Sequence, residues 1–147
     1  MFYNTTGQAR AKGSREGLEA CVMNIVAEQP ADWDTIKAQA VTENILTGNP
    51  SIKAIFASND NMGLGAIEAL RMAKMLDDVV VVGFDAISGA AESILKGEMA
   101  ATIAQRPTMM GALGVESLLT LIGGGSLEAH VDTGAALVTA DNAAEYK

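Results

Sequence analysis

The chain has 147 residues, 49 % of them hydrophobic and 19 % charged, which suits one domain with a genuine core and excludes a disordered segment. A formal net charge of −8, with no basic stripe, excludes a nucleic-acid partner, because phosphate binding needs clustered Lys and Arg. Cys21 is the single cysteine, which excludes an intrachain disulfide and a thiolate metal cage; no run of about 18 apolar residues reads as a membrane span, and no basic-then-apolar start reads as a signal peptide.

In chain order, Met1-Phe2-Tyr3 reads as the stub of a strand, and Arg10 opens the helix that follows it. Val22–Ala27 predicts the next strand, and Cys21, between Ala20 and Val22, reads as a buried inert thiol. After the loop Gln29-Pro30-Ala31-Asp32-Trp33-Asp34, the spacing of Ile36, Ala40, Val41 and Ile45 predicts a helix with those residues on its apolar face, stopped at Gly48-Asn49-Pro50. Ala54–Ala57 is a strand, and Gly63, Ala66, Ile67, Leu70 and Ala73 give the next helix one apolar face. Val79–Val82 shows no polar alternation, so it is expected to be covered on both faces, as a central parallel strand is. A helix stop at Gly97 precedes the strand Ala101–Ala104. Pro107 suits the first position of a helix carrying Met110, Gly114, Leu118 and Ile122, which Gly123-Gly124-Gly125 ends before a last run at Ala135–Val138. Strands alternating with helices in this way predict an α/β fold of three layers, a mostly parallel sheet with helices on both faces.

The polar residues fall at one kind of place. Asn59 and Asp60 follow the strand ending at Ala57-Ser58, Asp85 follows Gly83-Phe84, Gln105 follows Ala104, Trp33 lies beyond Ala27, and Arg10 lies beyond the stub. In a parallel sheet all of these sit outside the carboxyl ends of the strands, where open α/β sheets bind ligands. A guanidinium, a carboxylate and two amides supply the paired donors and acceptors that vicinal hydroxyls need, and an indole face suits the C–H side of a sugar ring. Each residue also has an ordinary reading: Asp60 as a helix N-cap, Trp33 as half-buried core, Arg10 as a solvated charge. The candidate ligand-binding set is Arg10, Trp33, Asn59, Asp85 and Gln105, with no catalytic or metal-ligating residue and no cofactor. Gly63-Leu64-Gly65 lacks the third glycine of a dinucleotide loop, because Glu68 stands there, and reads better as close helix–sheet packing. His130, the one histidine, has no triad or metal partner and reads as solvent-exposed. Asp32 and Asp34 fit a binding wall better than an acid–base pair.

Four stretches, Gln29–Asp34, Ala57–Ala66, Val82–Asp85 and Ala101–Gln105, together resemble the C-terminal lobe of the ribose-binding-protein family, the periplasmic receptors of sugar ABC importers, in order and in spacing. The resemblance runs through nearly all of the chain. It implies a periplasmic-binding-protein-like type I lobe over residues 1–147 that captures a monosaccharide without chemistry, a membrane permease as partner of the intact receptor, and a periplasmic or cell-surface lipoprotein location. It makes Arg10, in its Arg-x-x-Gly context with Gly13, the guanidinium on the sugar hydroxyls and Trp33 the stacking wall, with Asn59, Asp85 and Gln105 at the other hydrogen-bonding positions. Trp33 stands where ribose binders commonly have Phe, so the sugar need not be ribose, and Ser14 stands where an aromatic often follows the glycine. Measured against the family, the chain is expected to be truncated at the N-terminus. It lacks the first lobe and the first strand and helix of the second, which leaves helix 107–123 without the lobe it would pack on and the sheet edge open to self-association. The alternative is the effector-binding domain of a lactose-repressor-family regulator, which shares the fold. The ending through Asp132-Thr133-Gly134 to Asn142-Ala143-Ala144-Glu145-Tyr146 looks like that of the importer receptors.

Overall fold

The computed structural model describes residues 5–147. Five helices, α1 (Thr5–Ala20), α2 (Thr35–Gly48), α3 (Asp60–Ala73), α4 (Ser88–Leu95) and α5 (Pro107–Ile122), alternate with four short strands, β1 (Ala54–Phe56), β2 (Val80–Val82), β3 (Thr102–Ala104) and β4 (Ala136–Val138). The stub proposed at Met1–Tyr3 lies outside the described residues. β1 pairs in parallel with β2, in the register Ile55 to Val81. The sheet continues through a parallel bridge between Val82 and Ala101, reinforced by Gly83 N–H to Ala101 O and Asp85 N–H to Ile103 O. β4 closes the far side antiparallel to β3, with Ile103 opposite Leu137. The architecture is thus the expected α/β one with a mostly parallel sheet.

The core lies where α3 and α4 cover the sheet: Ile67 and Leu70 of α3, Val81 of β2 and Ile94 of α4 are buried together with Met99 and Val138. The three-and-four spacing in α3 holds for Gly63, Ala66, Ile67 and Leu70, which fall on its buried face, but Ala73, at the last position of the helix, is exposed. Its two glycines do different jobs. A Cβ on Gly63 would meet Met99 Cε at 2.9 Å on the sheet side, whereas one on Gly65 would run into the carbonyl of Thr35, with Ala38 Cβ and Gln39 N each 3.1 Å away. Gly65 therefore lets α2 and α3 touch, a helix–helix contact and not the helix–sheet packing expected of both.

Four expectations fail, each through a missing neighbour or a shifted face. Val22–Ala27 forms no strand: among the described residues segment 23–31 has no ladder partner, and a slot of about 850 Å³, lined by Met23, Ile25, Ala27, Val41, Ile55 and Ala57, separates it from β1. Cys21, just past the end of α1, is exposed and not the buried thiol expected. In α2 the buried residues are Ala38, Thr42 and Leu46, the row that meets Gly65, so that Ile36 is 78 % exposed while Val41 and Ile45 face the slot. In β2 Val81 points into the core, but Val80, one residue away and so on the opposite face, is 53 % exposed. That outer face is left open at Val80 and only half-covered at Val82.

α5 begins at Pro107 and is capped at Gly123, as its sequence signals require, but it buries no residue. Its Val115, Leu118, Leu119 and Ile122 are all exposed.

Candidate functional site

The loops after β1, β2 and β3 come together at the carboxyl end of the sheet, and α1 lies across them. Arg10, in the second turn of α1, reaches over this end with a side chain only 9 % exposed. Its Nη1 donates to Ser58 O at 2.7 Å and its Nη2 to Asp85 Oδ1 at 2.8 Å. The guanidinium lies 3.8 Å from the Phe84 ring centroid and 5.6 Å from that of Trp33. The reading of Arg10 as a solvated helix charge is therefore excluded by its burial and partners.

Asp85 is the hub. Its Oδ1 accepts from Arg10 and, at 2.9 Å, from Gln105 Nε2, while Oδ2 has no hydrogen bond among the described residues. The carboxylate is aimed by backbone in the left-handed region, with φ of 115° at Asp85 and 55° at Ala86, a conformation that costs a non-glycine residue and persists only where surrounding bonds fix it. Asp32 and Trp33 are held likewise, at φ of 52° and 64°. There Asp34 caps α2 by accepting Lys37 N–H at 2.8 Å, and Lys37 Nζ pairs with Asp32 at 2.9 Å. Both carboxylates of this loop are thus occupied in shaping it, which presents the half-buried Trp33 toward Arg10.

Asn59 is the N-cap of α3: its Oδ1 accepts Met62 N–H at 2.9 Å, and its Nδ2 reaches Trp33 O at 3.5 Å. The capping expected of Asp60 belongs to its neighbour. Asp60 is fully buried, and its carboxylate crosses the sheet to accept from Thr102 Oγ1 at 2.6 Å and from Ile87 N–H at 2.9 Å. Burial raises its pKa above the ordinary carboxylate value of 3.8, with the Thr102 and Ile87 hydrogen bonds pulling the other way. All five candidate residues thus gather at one place, three of them in direct contact. Phe84 and Asp60, which the sequence did not assign to the site, stand beside them. Phe84 could have been found from its position next to Asp85; Asp60 had no signal that separated it from a cap.

The slot beside β1 is a separate, mostly apolar feature that shares Trp33 and Ser58 with the polar cluster but not Arg10, Asp85 or Gln105. His130 is exposed. Among the described residues no group of three or more His, Cys, Asp or Glu side chains could hold a metal, and no helix is long and apolar enough to cross a membrane.

Comparison with known proteins bears on the family and the fold. Residues 3–126 match the family model described as periplasmic binding protein domain. Over 125 residues, 85 % of this chain, the sequence is 41 % identical to the ribose import binding protein of Escherichia coli, and over 117 residues 43 % identical to the D-allose-binding periplasmic protein of the same organism. The chain spans 42 % and 38 % of the length of these two relatives. A periplasmic solute-binding protein of an ABC transporter from Actinobacillus succinogenes, solved with D-allose, superposes with a TM-score of 0.83 at 36 % identity, covering 91 % of this chain and 50 % of that one. The myo-inositol-binding protein of Caulobacter, solved with myo-inositol, gives a TM-score of 0.83 at 36 % identity, covering 92 % and 47 %.

Proposed function

Because the chain belongs to the periplasmic binding protein family, we propose that it contributes a monosaccharide-binding face to the receptor of an ABC sugar importer. The observation that carries this reading is the Arg10–Asp85–Gln105 cluster at the carboxyl end of the sheet, with Trp33 alongside. Asp85 Oδ2 is the natural acceptor for a sugar hydroxyl, since Oδ1 is already committed and its charge strengthens any bond it accepts. Trp33 supplies the apolar wall for the ring's C–H face. The relatives' names, for ribose, D-allose and myo-inositol ligands, support a small polyol and leave its identity open. Binding here is capture without catalysis. A membrane permease is the partner of the intact receptor, and the periplasm or the outer cell surface its place of action. The repressor alternative is not favoured, since the reported relatives are import or solute-binding proteins.

Two surfaces support a larger assembly. The bare apolar row of α5 fits a second lobe, on which helix 107–123 would pack. The edge of β1 that faces the slot has no partner among the described residues and suits pairing with another copy, so association should grow with concentration; a monomer in sedimentation at every concentration would count against that pairing.

The functional test is a fluorescence titration of Trp33, the single tryptophan, with pentoses, hexoses and myo-inositol. A saturable, sugar-selective change is expected, and a weak one, since one face supplies only part of the contacts that enclose a ligand. A folded chain that responds to none of these ligands would remove the reading for this chain on its own; nanomolar affinity would contradict the weakness.

A further inference from the structure

Asp85 points into the site from a loop whose backbone is strained at two successive non-glycine residues, so something must hold it there. Asp85 N–H is anchored on Ile103 O, and on either side of Asp85 the loop is tied to Asp60 and to its partner Thr102. Asp60 N–H donates to Phe84 O at 2.8 Å, on one side of Asp85. Asp60 Oδ2 accepts Ile87 N–H at 2.9 Å, on the other side. Its Oδ1 accepts from Thr102 Oγ1 at 2.6 Å, and the same oxygen of Thr102 accepts Ala86 N–H at 3.3 Å. A Cβ at position 83 would collide with Asp60 Oδ1, so Gly83 keeps open the passage through which the carboxylate crosses.

We propose that Asp60, with Thr102 as its relay, is the positioning residue of the site: it touches no ligand and acts by fixing the 84–87 loop so that Asp85 meets Arg10 and Gln105. The geometry argues against a purely structural role for the carboxylate. A group needed only to fill the core could be apolar, whereas a fully buried carboxylate is costly unless its oxygens are used. Here every bond it accepts runs to Thr102 or to the loop that carries Asp85. The inference rests on the sugar-binding reading only for its consequence in affinity.

The test uses the full chain with Thr102→Val, Thr102→Ser and Asp60→Asn. Thr102→Val keeps the shape and removes the hydroxyl, while Thr102→Ser restores the hydroxyl. Two readouts are taken: amide exchange of residues 85–87 relative to residues 67–70 in the core, and the nitrogen-15 shifts of the Arg10 guanidinium. The expected result for Thr102→Val and Asp60→Asn is exchange about tenfold faster at 85–87 than any change at 67–70, the size of one hydrogen bond to a charged group. The Arg10 shift moves as its contact with Asp85 loosens, and Thr102→Ser returns both signals to the parent values. Sugar affinity in the Trp33 titration falls by a similar factor without reordering the sugars. Uniform acceleration at 85–87 and 67–70 with an unmoved Arg10 shift would overturn the proposal in favour of a plain core role. If the parent binds no sugar but the loop and Arg10 respond as described, positioning stands and the sugar reading alone falls.

Discussion

Replacing Arg10 by Met probes how α1 is fastened over the site. Of that helix only Gly7 and Ala11 are buried. One buried alanine methyl contributes about 0.8 kcal/mol. Arg10 by contrast bonds Ser58 O and Asp85 Oδ1 at 2.7 and 2.8 Å and lies on the Phe84 ring. Hydrogen bonds involving charged groups contribute about 1.5–3 kcal/mol each, and a cation–π contact about 0.5–2 kcal/mol. These do not add fully, and the Asp85 side chain is 31 % exposed, so water recovers part of the loss. A net cost of about 2–3 kcal/mol follows, with the methionine stem keeping most of the packing. Since α1 buries so little else, the cost should fall on α1 alone as local opening. Its amides should then exchange about 30- to 150-fold faster while those of residues 67–70 keep their protection. Hydrogen exchange read by mass spectrometry separates the outcomes. Unchanged exchange in α1 would show that the guanidinium does not fasten it, and equal acceleration in α1 and α3 would refute the local argument.

Gly65→Ala should destabilise the chain by about 1–3 kcal/mol in urea unfolding, because the new methyl meets backbone of α2. Gly63→Ala should cost less, since only the flexible end of Met99 must yield; the reverse order would contradict the helix contact. Asp60 has its folded pKa raised by burial, so its unfavourable effect is absent below the ordinary value of 3.8 and grows as pH climbs from there toward the folded pKa. Asp60→Asn should remove that decline, and the parent-minus-variant difference in unfolding free energy, flat with pH, would disprove it. Cys21 should react with a thiol reagent in the native chain at nearly the unfolded rate; protection until denaturant is added would show it covered. Asp85→Ala should weaken sugar binding more than Asn59→Ala, because the Asn59 amide is already engaged in capping and toward Trp33, and calorimetry giving the opposite order would refute the ranking.

What could be read from the sequence divides along a physical line. Periodicity and caps found α3, the start of α5 at Pro107 and its stop at Gly123, because those signals are local and act through the helix's own backbone. The ends of β1, β2 and β3 were equally readable, and with them the edge where Asn59, Asp85 and Gln105 lie, whereas Arg10 and Trp33 were placed from a stub outside the described residues and from a strand that does not form. Asn59 and Asp60 show where local signals run out. Both residues suit an N-cap, and what decides between them is whether a hydroxyl and a loop N–H stand across the sheet to receive the other's carboxylate. Thr102 and Ile87, which do so, are far away in sequence.

The same logic accounts for Val22–Ala27, whose apolar, β-branched run has every local property of a strand. A strand is made by its neighbour's backbone, and among the described residues no backbone pairs with residues 23–31, which face β1 across the slot. Cys21 and the outer face of Val80 go uncovered alongside it. The polar cluster is held independently of them: Arg10 and Gln105 both bond Asp85, Arg10 also bonds Ser58, and Asp60 ties their loop to β3. The site's polar geometry is therefore set by bonds among the carboxyl-end loops, while the wall around Trp33 and Ser58, which also line the slot, depends on what occupies the slot. A partner that filled the slot should accordingly change the selectivity of the Trp33 wall more than the grip of Asp85.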